Sequence, residues 1–170
     1  LGPITDSACT ISIKKGDKDF SAAVTQIMGQ SPDAVAYAAY YTEGALLVDQ
    51  LRQAGFKGYF FGPDGLKDPQ FVKAAGTSAK DAVVSCPCGP APDSFVDAYT
   101  KRFGQAPGTY SVEAYDAAAI LLKGIDSGAV TRPALRDFVA GYDGQGLARR
   151  YKWTDTGELT SNLIWIYKVQ

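Results

Sequence analysis

Residues 31–65 read SPDAVAYAAYYTEGALLVDQLRQAGFKGYFFGPDG, and the fold turns on this stretch. Ala34–Tyr40 is an apolar run of strand length, and its lack of clean alternation predicts a strand buried on both faces. Glu43–Ala54 carries Leu46, Leu47 and Leu51 at helical spacing and stops at Gly55. Tyr59–Phe61 is the next strand. Two parallel strands joined by a helix cross over right-handed, so the loops after Ala39 and after Phe61 share one edge of the sheet. Ligands of open α/β sheets bind at that carboxyl edge. Tyr40 and Tyr41 stand on it, and so does Asp64, in the turn Gly62-Pro63-Asp64-Gly65.

Towards the N-terminus, Cys9, Ile11 and Ile13 alternate as in a strand, closed by the turn Lys15-Gly16-Asp17. Asp19 is positioned to cap a helix from Phe20 to about Met28, with Phe20, Val24 and Ile27 on one face and Gly29 as the stop. Leu1-Gly2 reads as the end of an earlier helix.

Towards the C-terminus, Asp68-Pro69 reads as an N-cap and first-turn proline of a helix reaching about Ala75. Ala82–Ser85 is a further short strand. Cys86–Pro92 holds three prolines and a glycine, which marks a crossover or hinge. Ser94–Phe103 is amphipathic, Ser111–Ser127 is a longer, Ala-rich and more buried helix, and Thr131–Ala140 is a third helix with Pro133 in its first turn. Leu147–Trp153 and Leu163–Val169 read as strands flanking the turn Thr154-Asp155-Thr156-Gly157. The class is α/β.

With 170 residues, 46% hydrophobic and 21% charged, the chain has the composition of one or two globular domains. A net charge of −1 from 17 basic and 18 acidic residues leaves no electrostatic footprint for nucleic acid or an anionic membrane. No apolar run is long enough for a membrane span, and the sequence opens at Leu1 without a basic n-region, so neither a span nor a signal peptide is expected within these residues. With no histidine, the chain has no Ser-His-Asp, Cys-His or HExxH machinery of its own. Three cysteines, an odd number, argue against a disulfide framework, and small buried side chains are the plain reading of Cys86 and Cys88; a bridge from Cys9 to either stays open.

No phosphate-binding glycine pattern occurs, so no cofactor is expected, and no metal-ligand set is either. Ser12–Lys15 fits SxxK in form only, because it leads into a charged turn. Asp155 lacks the further acids of a calcium loop. The tyrosine pair and Asp64 remain. Adjacent tyrosines at a strand end cannot both enter a core, and an Asp at the same edge can receive an ammonium group that a phenol ring covers. One tyrosine in the core with one on the surface, and Asp64 as a plain turn-former, are the competing readings.

These residues carry a family resemblance. KKGDKDFSAAVTQI, AYYTEGALLVDQLRQAGFKG, FFGPDGLKDPQFVKAAG, AYTKRFGQAPGTYSVEAYDAAAILLKGI and YKWTDTGEL together resemble the substrate-binding proteins of ABC transporters for branched-chain amino acids, the Leu/Ile/Val-binding type with the type I periplasmic-binding-protein fold. Such proteins close two α/β lobes on an amino acid. The resemblance implies that this chain corresponds to the C-terminal half: residues 1–85 as the second, parallel-sheet lobe, 86–162 as the returning, mainly helical and incomplete part of the first lobe, and 163–170 as a strand crossing back. It further implies that Tyr40 packs on the ligand, that Asp64 pairs with its α-ammonium where the type often has Glu, and that Tyr110 borders the side-chain pocket. Tyr41 is a weaker candidate, and Glu43 reads as a first-turn helix acid. Ala36 and Ala39 replace what is commonly an aromatic and a glycine. The implied partners are an amino acid, ABC permease subunits and the missing N-terminal lobe, with dimerisation through exposed lobe surface. The implied location is periplasmic or extracytoplasmic, lipid-anchored or secreted, with the signal segment outside this chain. A ligand-sensing receptor domain of the same fold is the alternative, and a hydrolase using Asp64 with Glu43 a third, although no enzyme is expected.

Overall fold

In the computed structural model, which describes residues 7–161 and 163–170, the 31–65 stretch forms strand, helix and strand. These are β1 (Ala34–Ala36), α2 (Tyr41–Gln53) and β2 (Tyr59–Gly62), with α1 (Ser21–Gly29) before them. β1 and β2 are parallel, Val35 opposite Phe60, and β2 is parallel to β3 (Val83–Cys86). A last strand, β6 (Trp165–Lys168), completes the order β1-β2-β3-β6. Val169 donates to the Ala82 carbonyl at 2.9 Å and accepts from the Asp81 N–H at 3.0 Å.

The chain divides into two compact units, one running to Cys86 and taking back Ile166–Gln170, the other Pro87–Trp165. The first has its core between the sheet, α2 and α3 (Pro69–Ala75), where Val48, Leu51, Phe60 and Phe71 are all but fully buried. Each contributes about 1.5–3 kcal/mol by leaving water. α3 begins where Asp68-Pro69 implied, with the Asp68 carboxylate accepting from the Gln70 N–H at 2.8 Å. α2 stops at Gly55, whose φ of 91° needs a residue without a side chain.

Several expectations are corrected. Cys9–Ile13 is not a strand: Ser7–Cys9 is a 3-10 turn and residues 10–14 have no regular structure. Alternation marks a strand only where a partner strand offers a ladder, and none of the described strands pairs with it. α1 starts one residue late, at Ser21, because the Phe20 N–H is taken by Gln50 Oε1 at 2.8 Å while Asp19 accepts from Ser21. It runs on through Gly29, and Ser31 takes the left-handed turn. β1 is short and its alanines are exposed, since it is the edge of this sheet rather than a strand covered on both faces. α2 consequently begins at Tyr41, two residues before the expected start.

The second unit packs α4 (Asp93–Phe103), α5 (Ser111–Asp126) and α6 (Arg132–Ala140) with a hairpin of β4 (Asp143–Gln145) and β5 (Arg150–Lys152). β4 escaped the sequence reading because Asp-Gly-Gln has turn composition, and only its ladder with β5 makes it a strand. α5 is less buried than its alanines imply: Val112, Asp116, Ile120 and Gly124 form one stripe, while Leu121, Leu122 and Ile125 are exposed. α6 crosses at Gly124, where a Cβ would come within 2.6 Å of Leu135 and 2.8 Å of Phe138. Cys86 and Cys88 are disulfide-bonded and Cys9 is free and exposed.

Candidate functional site

The carboxyl edge of the parallel sheet carries the loops after β1 and β2. The first of these is fixed by Tyr37, which the sequence reading passed over. Its N–H extends the ladder to the Phe61 carbonyl at 2.7 Å, and its buried ring stacks on Phe60 with centroids 5.8 Å apart. Its hydroxyl donates to the Tyr40 carbonyl at 2.9 Å. Burial, reinforced by the negative charge of Glu43, pushes the Tyr37 phenol up to about 12. It is therefore a donor throughout the neutral range.

Tyr40 precedes α2 in extended conformation, its carbonyl also receiving the Gly44 N–H at 3.1 Å. Its side chain is 69% exposed. Tyr41, one residue on, is half-buried and packs against the core. The helix start separates the pair, because consecutive residues at a turn into a helix face different ways.

Asp64 opens a 3-10 turn, Asp64–Leu66, and is half-buried. Leu66 anchors that turn: its side chain fills the space beside Gly62 and comes within 2.6 Å of where a Gly44 Cβ would stand. Gly65 lies against the Tyr40 loop, since a Cβ there would be 2.6 Å from the Ala39 carbonyl oxygen and 3.3 Å from Tyr40 Cδ1. The Tyr40 ring and the Asp64 turn are thus neighbours on one edge. Tyr110 belongs to the second unit, directly before α5, with a left-handed φ of 67°.

Glu43 is buried and committed to the chain itself. It accepts from the Gly16 N–H at 2.8 Å and from the Thr42 hydroxyl. The Thr42 bond, then the Gly16 N–H, holds its carboxyl below the usual range. A carboxylate so engaged is a strut for the Lys15-Gly16 turn, which leaves the Asp64 and Glu43 hydrolase reading without one of its two acids.

Two grooves lie away from this edge, one of about 730 Å³ between α5, α6 and the Trp153–Gly157 turn, and one of about 500 Å³ at the amino edge beside Arg52, Lys80 and Asp81. Among the described residues no cluster of His, Cys, Asp or Glu could hold a metal ion, and no helix is long and apolar enough to cross a membrane.

Comparison with known proteins agrees on one group. A family model described as periplasmic binding protein matches residues 8–170. The Leu/Ile/Val-binding protein BraC3 of Rhizobium johnstonii is 32% identical over 169 residues, covering 92% of this chain and 44% of its own length. A Leu/Ile/Val-binding protein homolog of Brucella melitensis is 27% identical with the same coverage. This chain therefore spans less than half the length of these relatives. Among solved structures, a leucine binding protein LivK from Thermotoga maritima superposes with a TM-score of 0.81 at 26% identity, over 93% of this chain and 47% of that one. LivJ from Streptococcus pneumoniae, in complex with isoleucine, has a TM-score of 0.74 at 23% identity, over 92% and 51% of the two chains, a likeness of fold.

Proposed function

The chain belongs to the periplasmic binding protein family, and from that premise we propose that it is the C-terminal part of an extracytoplasmic solute-binding protein that captures an amino acid, branched-chain or related, for an ABC importer. The observation that carries the reading is the Tyr40 ring, held out at the sheet edge by Tyr37 and set beside the Asp64 turn. Asp64 pairs with the α-ammonium of the ligand by a charge-assisted hydrogen bond, and Tyr40 covers that cation with its ring face. Tyr110 borders the ligand side chain, and Tyr41 supports the loop from the core side. The first unit is then the ammonium-binding lobe and the second the returning part of the other lobe, completed by sequence outside this chain.

Capture without chemistry suits these groups. A phenol and a single carboxylate bind a zwitterion, whereas Glu43, the second acid of the hydrolase alternative, is occupied by Gly16 and Thr42. The relatives are Leu/Ile/Val-binding proteins by name, which favours an aliphatic amino acid. Permease subunits are the partners of such a protein. An extracytoplasmic location is supported by the Cys86 and Cys88 disulfide, which persists in oxidising compartments. The exposed Leu121, Leu122 and Ile125 of α5 are suited to cover by the remaining lobe or by a second copy of the chain.

Calorimetric titration of the full-length protein with the common amino acids tests the reading. Binding of one or more aliphatic amino acids is expected, weakened roughly 10- to 150-fold by Asp64→Ala, as the loss of one hydrogen bond to a charged group implies. Binding unchanged in Asp64→Ala sinks the site, and no binding of any amino acid sinks the ligand class.

A further inference from the structure

We propose that Arg149 is a positioning residue for ligand capture, tying both chain crossings to the N-terminal end of α5. The inference rests on the solute-binding reading above. The chain leaves the first unit after Cys86 and returns to it after Trp165. Within the second unit, Arg149 Nη2 donates to the Pro87 carbonyl, the guanidinium lies 5.5 Å from the centre of the Trp165 ring, and Glu113 Oε1 stands 3.6 Å away. Trp165 packs in turn on Gly89, where a Cβ would come within 2.9 Å of the indole. One side chain therefore touches the outgoing segment, the incoming segment and the first turn of α5.

The backbone of Arg149 is fixed as firmly as its tip. Asp116, one turn along α5 from Glu113, accepts from the Leu147 and Ala148 N–H groups at 2.8 and 2.7 Å and from the Tyr151 hydroxyl at 3.1 Å. The Gly146 N–H donates to the Arg149 carbonyl at 2.8 Å. Glu113 and Asp116 thus bracket the 146–149 loop, and the crossings hang from it. Tyr110, placed at the ligand by the reading above, is three residues before Glu113.

Stability alone does not account for this guanidinium. Its side chain is 5% exposed, its carboxylate partner is at the loose end of an ion pair, and its buried Nε has no hydrogen-bond partner among the described residues. A buried charge met so incompletely costs free energy that an apolar side chain would spare. What an apolar residue cannot supply is a flat donor that reaches a carbonyl while stacking on an indole. That geometry sets where the two crossings stand relative to α5.

The test uses the full-length protein with L-leucine as probe, comparing Arg149→Met, Arg149→Lys and Ile120→Val. Ile120 is buried on the same helix, so its truncation lowers stability without touching the crossings. Arg149→Met should raise hydrogen exchange at the Cys88, Gly89 and Ile166 amides and change the L-leucine dissociation rate roughly 3- to 30-fold. Arg149→Lys, which keeps the charge without the fork, should fall between, and Ile120→Val should match the unsubstituted protein in both. Arg149 variants whose exchange at these amides and dissociation rate equal those of Ile120→Val overturn the proposal. Should the unsubstituted protein bind neither L-leucine nor any other common amino acid, the solute reading falls on that result alone, whereas exchange at these amides equal to that of Ile120→Val overturns the role of Arg149 whichever amino acid binds.

Discussion

The Tyr37 hydroxyl donates to the Tyr40 carbonyl at 2.9 Å, yet the two rings go opposite ways, one 6% exposed and stacked in the core, the other 69% exposed at the sheet edge. The buried tyrosine thereby sets the backbone from which the exposed one projects. Tyr37→Phe removes that bond and leaves the ring packing intact. A loss of about 0.5–1.5 kcal/mol is expected, the net worth of one intramolecular hydrogen bond. Urea unfolding should give a lower midpoint at unchanged slope, and a calorimetric titration should give weaker amino-acid binding. A midpoint equal to that of the unsubstituted protein would show the bond to be idle.

Gly65→Ala tests the seating of the Asp64 turn. The atom a Cβ would meet first is the Ala39 carbonyl oxygen, at 2.6 Å, and a backbone atom cannot swing aside as a flexible side-chain end can. The two loops must part. The expected cost is about 1–3 kcal/mol, as for other overpacked sites, with weaker amino-acid binding beyond it. Gly16→Ala, strained by its φ of 91° but with nothing within 4 Å, is the control, and it should lower stability without a comparable loss of binding.

Two pH limbs follow from Tyr37 and Glu43. The Tyr37 phenol is pushed up from 10.0 to about 12 by burial and then by Glu43. A raised value means that the fold favours the protonated phenol, so its contribution is whole below pH 10 and is lost as pH rises towards 12. Tyr151, raised by burial and Asp116, acts in the same direction. Glu43 is held below its ordinary 4.5, chiefly by the Thr42 hydroxyl and the Gly16 N–H. Its contribution is whole above that value and is lost as pH falls below it. Denaturant midpoints taken from pH 3 to 11 should decline at both ends. Tyr37→Phe should flatten the alkaline decline and Glu43→Gln the acid one; a decline unaltered by either change assigns it to other groups.

Thiol titration distinguishes the three cysteines. Cys9 is free and exposed, while Cys86 and Cys88 are disulfide-bonded and buried. An aromatic disulfide reagent should therefore find one thiol per native chain, and three after reduction in denaturant. A bridge spanning so short a loop contributes only about 1.5 kcal/mol by chain entropy, so the reduced protein should still fold. Two or more thiols in the native protein contradict the pairing.

Sequence alone determined the parallel strand, helix and strand of residues 31–65, the α3 cap at Asp68-Pro69 and the three helices of the second unit, because periodicity and capping are local properties of neighbouring residues. It also located Tyr40 and Asp64 at one edge, since the handedness of a crossover follows from chirality. Tertiary structure alone decided the rest. Cys9–Ile13 alternates like a strand and finds no ladder; Asp143–Gln145 lacks strand composition and finds one. Whether Tyr37 or Tyr40 enters the core, and which acids are spent on the chain itself, as Glu43 is on Gly16 and Asp116 on the 146–149 loop, depends on partners 23 to 32 residues away. Burial and hydrogen bonding between such partners exist only once the chain has brought them together.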